Sequence, residues 1–358
     1  MAEAQVKNAA LLAVLCLASA ASWNYLVRTS QIDPAPISLL PSPPMRDGIY
    51  APNEKLEKAE KIGLGLVHGP EDFALDREKK SLFTGCEDGW IKRVWFDEGR
   101  VENWTFVGGR PLGVAVGKNE ELIVCELRRG LLNVTKDNVE VLCNEAGGSK
   151  LKMPDGVDVS KDGVIYFTDA SYKYSPAKFE LEVFEYRPHG RLIKFDPTTK
   201  TATVLLKDLY FSNGVALSAQ EDFLVFCETF IFRCRKYWLK GEKSGKIETF
   251  LENLPGFPDN VRVDAEGTFW IGLLGRRTLL WDLTVKYPAF RHVLVRMWSI
   301  INPYVLFKKG AILNLNENGE PIAFFESKRP LITGGVRLGN HLYFGGILDH
   351  SLNSLELP

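Results

Sequence analysis

Charge imbalance is the first thing this sequence lacks. Its 44 lysines and arginines face 45 aspartates and glutamates, a net charge of −1. A nucleic-acid binder needs a clustered basic surface, so that class of partner is excluded as an expectation. Cysteine is also sparse: there are six, and Cys16 sits in an apolar run near the N-terminus. The other five, Cys86, Cys125, Cys143, Cys227 and Cys234, include no C-x-x-C pair, which argues against a zinc site and a dense disulfide framework. Cys227 and Cys234 are left with two readings, a local bridge or two buried thiols. After residue 60 helical periodicity is scarce as well, which points away from an α or α/β fold.

With 358 residues, 45% of them hydrophobic, the chain suffices for one large domain or two ordinary ones. Residues 8–27, NAALLAVLCLASAASWNYLV, form an apolar run after Lys7. Ala9 to Ala21 has the length of a signal h-region, and Ala18-Ser19-Ala20 resembles a cleavage site. Read to Val27, the run approaches the roughly 20 residues that span a bilayer. Residues 1–28 are therefore expected to be a signal peptide or signal-anchor. Residues 29–59, with the Pro-rich PAPISLLPSPPMRDG (34–48), are expected to be a linker. Two sequons, at Asn103 and Asn133, fit a glycoprotein of the secretory pathway, whether endoplasmic reticulum lumen or membrane, vacuole or extracellular space.

From residue 60 to 358 short alternating runs recur between Gly, Asp and Asn turns. Six copies align: EDFALDREKKSLFTG, LGVAVGKNEELIVCE, DGVDVSKDGVIYFTD, NGVALSAQEDFLVFCE, DNVRVDAEGTFWIG and GGVRLGNHLYFGG. Anchored on Phe73, Val114, Val157, Val215, Val261 and Val336, they are spaced by 41, 43, 58, 46 and 75 residues. Most of these intervals lie near the period of four-stranded propeller blades, which predicts an all-β, six-bladed β-propeller. The longest interval holds KYPAFRHVLVRMWSIINPYVLFKKG (286–310), where Phe290, Val293, Leu294, Met297, Trp298, Ile301, Tyr304 and Val305 recur at helical spacing. A helical insertion is expected there between blades five and six, ended or kinked by Pro303, covering the mouth or lying on a membrane surface.

In a propeller each innermost strand begins at the same face, beside the central channel. The residues two before each anchor are Glu71, Leu112, Asp155, Asn213, Asp259 and Gly334, and Asn260 follows Asp259. Three carboxylates and two amides converging on one axis repel one another unless a cation joins them. A set of oxygens with no Cys or His suits a hard divalent ion, Ca²⁺ before softer metals. The metal ligands predicted here are Glu71, Asp155, Asn213, Asp259 and Asn260.

GPEDFALD, GRPLGVAV, GVIYFTDAS, GRLIKFDPTTKTATVLL, SNGVALS and LPGFPDNVRVDAEGTFWIGL resemble signature segments of the strictosidine synthase-like family, over about residues 60–357. The wider superfamily includes calcium-dependent lactonases and phosphotriesterases with six blades. The resemblance implies that Glu71, Asn213, Asp259 and Asn260 fall on metal-ligand positions, with Asp155 where those enzymes usually have Asn. It further implies a small-molecule substrate, a metal acting as Lewis acid, and Asp259 as ligand, base or nucleophile. True strictosidine synthases condense an amine with an aldehyde, using a glutamate at the mouth of the sixth inner strand. Thr333, Gly334 and Gly335 stand there instead, so a proton carrier for that reaction is missing unless Asp349 supplies it. Of five histidines, His68, just before Glu71, is the one suggestively placed. Three functions stay open: a metal-dependent hydrolase of ester, lactone or phosphotriester bonds, a condensing enzyme, and a non-catalytic binding propeller with a structural ion.

Overall fold

The computed structural model describes residues 15, 18–43, 47–298, 300 and 307–358. Six four-stranded antiparallel sheets follow one another along the chain. Their innermost strands are Phe73–Leu75, Pro111–Val116, Pro154–Val159, Ser212–Leu217, Gly256–Val263 and Ile332–Leu338, which contain the six anchors read from the repeats. Blades I to V each run outward through four consecutive strands. Blade VI has three of its own and takes its fourth from Glu60–Ile62, which pairs antiparallel with Leu352–Glu356. That pairing completes the sixth sheet and joins the two ends of the chain, closing the ring.

The anchors are buried and pack between neighbouring sheets, as do the second-strand residues opposite them, such as Phe167, Phe226 and Ile271. Alternation explains this: residues of one parity face the next blade, and Val, Ile and Phe fill that face. The strand-two turns lie at the far end and are closed by side chains. Asp264, for example, accepts from Thr268 Oγ1 at 2.8 Å and Trp270 Nε1 at 2.9 Å.

The α-helices between strands lie on one face. Residues 18–28 form α1. Phe179–Glu185 (α2) lies between the second and third strands of blade III. Leu279–Lys286 (α3) and Pro288–Met297 (α4) lie between Phe269–Arg276 and Ala311–Leu315. The insertion thus falls in the interval where helical spacing was found, and strand order locates it inside blade V rather than between blades five and six. The third strand of blade V follows the helices, which is why the repeat interval is long. Pro303, Ile301, Tyr304 and Val305 lie outside the described residues. Connections from second to third strands emerge at the end where inner strands begin, so α2, α3 and α4 cover the mouth face.

The Pro-rich segment is tied to this cover. Arg291, buried, donates to the carbonyls of Glu185 and Val285, both at 3.1 Å, and to that of Ala35. Ile37 N donates to Val285 O at 3.3 Å, and Arg277 donates to Leu40 O at 2.6 Å. Among the described residues no helix is long and apolar enough to cross a membrane. Residues 8–14, 16 and 17 of the apolar run lie outside the described residues.

Candidate metal centre

The inner strands of blades II to VI begin irregularly. Pairing with the second strand slips between Pro111 and Val114, Pro154 and Val157, Ser212 and Val215, Pro258 and Val261, and Ile332 and Gly334. A bulge re-aims the side chains beside it. Here it falls at the register of the predicted oxygen ring. Glycine just before the anchor lets adjacent strands approach. A Cβ on Gly156 would meet Gly214 Cα at 2.8 Å, and one on Gly214 would meet Val261 N at 2.5 Å and Asp259 O at 2.6 Å. The inner strands therefore touch backbone to backbone around the axis, and the side chains two before each anchor converge.

Glu71, Asp155 and Asp259 each present a carboxylate oxygen within 4.8 Å of the other two. All three are buried, as are Asn213 and Asn260. Asn260 Nδ2 donates to Glu71 Oε1 at 2.7 Å, and the Asn213 side chain lies beside Asp259. In this arrangement Asn260 orients Glu71. Thr333 Oγ1 donates to the Glu71 carbonyl at 2.6 Å, which fixes the backbone of the first ligand from blade VI. Leu112 and Gly334 contribute no oxygen side chain, so the ring is open on blades II and VI.

Three buried oxygens in this cluster have no partner: Glu71 Oε2, Asp155 Oδ1 and Asn213 Oδ1. Buried acceptors are otherwise paired, and leaving each unpaired costs about 1–3 kcal/mol. Burial and repulsion from Asp72 push the Glu71 carboxyl up to about 7. Burial, with repulsion from Glu71, raises Asp155 well above the carboxylate range. Asp259 is raised in the same way by burial, Glu71 and Asp155, and the Asn213 side chain opposes the shift. A hard cation reverses every one of these penalties, and the donor set contains only oxygen. The residues present therefore fit a divalent ion of the Ca²⁺ type.

Sequence reasoning missed the layer next to the ring. Arg262 crosses the channel from blade V to the Asp72 carboxylate of blade I, and also donates to Val114 O at 2.7 Å and Val157 O at 3.0 Å. These two residues stand one before and one after their anchors, so the repeat register carried the signal. Arg110, two before Leu112, also lies near the ring. Its charge acts on Glu71, and its buried Nη1 has no partner.

The other candidates lie elsewhere. His68 Nδ1 lies 3.1 Å from His350 Nδ1 and makes no ring contact. Asp349 is held by Arg329 and by Asn353 at 3.0 Å, so it is not free to supply the missing acid. A Cβ on Gly334 would lie 3.1 Å from Asn260 Cβ. Asn103 is exposed in the outer strand of blade I, whereas Asn133 lies in the third strand of blade II with Oδ1 buried. Cys227 and Cys234 are directly paired on adjacent strands and form a disulfide, and Cys86 and Cys125 are buried free thiols.

Comparison with known proteins agrees with the architecture. The family described as strictosidine synthase matches residues 155–242, and the strictosidine synthase-like N-terminal family matches residues 48–94. Protein strictosidine synthase-like 6 of Arabidopsis thaliana is 44% identical, covering 85% of this chain and 84% of the relative. The adipocyte plasma membrane-associated protein of Gallus gallus is 32% identical over 91% of this chain and 84% of its own length. Among solved structures, a gluconolactonase from Xanthomonas campestris superposes with a TM-score of 0.62 at 18% identity, covering 92% of this chain and 96% of that one. Regucalcin, a calcium-binding protein from Agrobacterium tumefaciens, gives 0.58 at 13% identity, covering 81% and 90%. These two share the fold.

Proposed function

The chain belongs to the strictosidine synthase-like family, and from that premise we propose that it hydrolyses an ester, lactone or phosphotriester bond with a divalent cation, Ca²⁺ first. The observation that carries this reading is the trio of unpartnered buried oxygens on Glu71, Asp155 and Asn213 beside Asp259. Those four side chains would hold the ion. When bound, it supplies a Lewis acid for a carbonyl or phosphoryl oxygen and a lowered pKa for water.

The chain's own residues supply the rest. Asn260 holds Glu71 in place from across the channel and Thr333 holds its carbonyl, so that ligand needs little reorganisation. Arg110, near the ring with an unpartnered Nη1, is set to receive negative charge that develops on a reacting oxygen. Asp259 combines the roles of ligand and proton acceptor. The α2–α4 cover limits water access from above. Amine–aldehyde condensation is disfavoured by the same geometry. Gly334 leaves no acid at the sixth strand, and Asp349 is engaged by Arg329.

One observation favours a second reading. Every ring residue is at most 5% exposed, which suits an ion that only ties inner strands together. The deciding experiment is a panel of aryl esters, lactones and phosphotriesters with and without chelator. Hydrolysis that chelator abolishes and Ca²⁺ restores supports the enzyme. A chelator-induced fall in melting temperature with no turnover of any substrate supports the structural ion and overturns the hydrolase.

The Cys227–Cys234 disulfide supports an oxidising compartment, as do the N-terminal apolar run and the exposed sequon at Asn103. On those grounds we propose a location in the secretory pathway.

A further inference from the structure

The mouth face carries an unusual surface. Leu279, Leu280, Leu283, Tyr287, Phe290 and Met297 all project from α3 and α4 into solvent, with Leu280 61% and Phe290 54% exposed. With Val293, also exposed, those from Leu283 onward recur every three or four residues. On the opposite side Trp281 and Val285 are buried in the core cluster, and Arg291 and His292 are buried against Ala35, Glu185 and Ser30. α1 adds Trp23, Tyr25 and Val27, with Tyr25 72% exposed. The two helical segments are neighbours: Arg296 donates to Leu26 O at 2.8 Å and Thr29 Oγ1 at 2.6 Å, and Ser30 Oγ lies 2.7 Å from His292 Nδ1. Contiguous exposed apolar area of this kind marks an interaction site.

We propose that this helical face docks on an anionic lipid bilayer, with the propeller mouth turned toward the membrane. Three observations select a bilayer. First, residues 8–27 are apolar, and their described part, α1, lies against α4, so whatever lipid receives that run meets this face. Second, acid is scarce there in a chain rich in it: residues 15–32 and 283–298 contain no Asp or Glu, and the one acid of α3, Asp282, is paired with Arg277. Arg28, Lys286, Arg296 and Lys308 are exposed around them. Cations flanking an apolar helical face match an anionic headgroup layer. Third, Trp23, Tyr25 and Tyr287 are amphipathic rings of the kind that settle at the headgroup level.

The test uses the full chain with Cys16 and Cys143 changed to serine, reconstituted into phosphatidylcholine vesicles containing phosphatidylserine. An environment-sensitive fluorophore is placed at Phe290→Cys, at Leu280→Cys as a second site, or at Glu120→Cys in a turn of the opposite face. Quenching by a headgroup-proximal lipid quencher is then read. The proposal expects quenching several-fold stronger at 290 and 280 than at 120, and a marked loss with Lys286→Glu and Lys308→Glu together. Equal, weak quenching at all three sites while the chain stays with the vesicles overturns it, because the N-terminal run then tethers a propeller whose face is free. A blue shift at 290 that is complete without vesicles also overturns it and assigns the face to a protein partner. Equal quenching in vesicles of phosphatidylcholine alone overturns the anionic preference.

Discussion

The amide nitrogen of Asn260 lies 2.7 Å from Glu71 Oε1, joining blade V to blade I across 189 residues of sequence. Both side chains are buried, and Asn260 also reaches the Glu71 carbonyl at 3.3 Å. Glu71 is thereby aimed at Asp155 and Asp259 while its second oxygen stays unpartnered. Partners that orient a ligand are typically worth 10–100-fold in metal affinity. Asn260→Ala should therefore weaken Ca²⁺ binding about 10–100-fold with the propeller still folded. Calorimetric titration together with circular dichroism checks both halves of that expectation.

On the proposed reading, protons and a cation would compete for the same oxygens. Burial raises Glu71 to about 7, and Asp155 and Asp259 shift upward as well. An acid with a raised folded pKa binds protons more tightly folded than unfolded. The cation-free protein should then lose stability as pH rises from the ordinary carboxylate range toward 7 and beyond. Ca²⁺ removes that loss, so the melting-temperature difference between Ca²⁺ and chelator should be small near pH 5 and large near pH 8. Scanning fluorimetry across that range is the check, and a difference independent of pH would contradict the arrangement.

Gly214 is where the inner strands of blades IV and V come closest. A methyl group there meets backbone atoms of Asp259 and Val261, which have no side-chain freedom with which to yield. Gly214→Ala should cost about 1–3 kcal/mol or more by overpacking and displace Asp259, lowering both melting temperature and Ca²⁺ affinity. Gly241→Ala serves as the comparison for the affinity half, since a Cβ there meets nothing within 4 Å.

The two sequons should behave differently. Asn103 is exposed on an outer strand, while the Asn133 amide oxygen is buried one strand further in. Expressed in a secretory host, the protein should lose one glycan on enzymatic deglycosylation, and Asn103→Gln should abolish that mass change.

Much of this site was legible in the repeats because inner strands share one register. Once Val157 and Val261 are aligned, Asp155 and Asp259 fall at the same station without any knowledge of loops. Other parts had no such signal. Asn260 reads as another oxygen donor, yet its amide nitrogen serves Glu71, since pairing direction depends on the three-dimensional partner. The closing strand Glu60–Ile62 is too short to show alternation and pairs with residues almost 300 positions away. The insertion was recognised by its helical period, but its place inside blade V depends on Ala311–Leu315, a strand that resembles none of the repeat copies. The Pro-rich segment reads as a linker because its contacts are backbone carbonyls held by Arg277 and Arg291, and carbonyls leave no trace in a sequence.

The central claim is that Glu71, Asp155, Asn213 and Asp259 form one cation site, and calorimetric titration of Ca²⁺ into chelator-treated protein tests it most directly. The expected result is a single ion per chain, with binding lost in Asp259→Ala while the variant remains folded. An absence of binding by the native chain, or binding of unchanged affinity by Asp259→Ala, would contradict it.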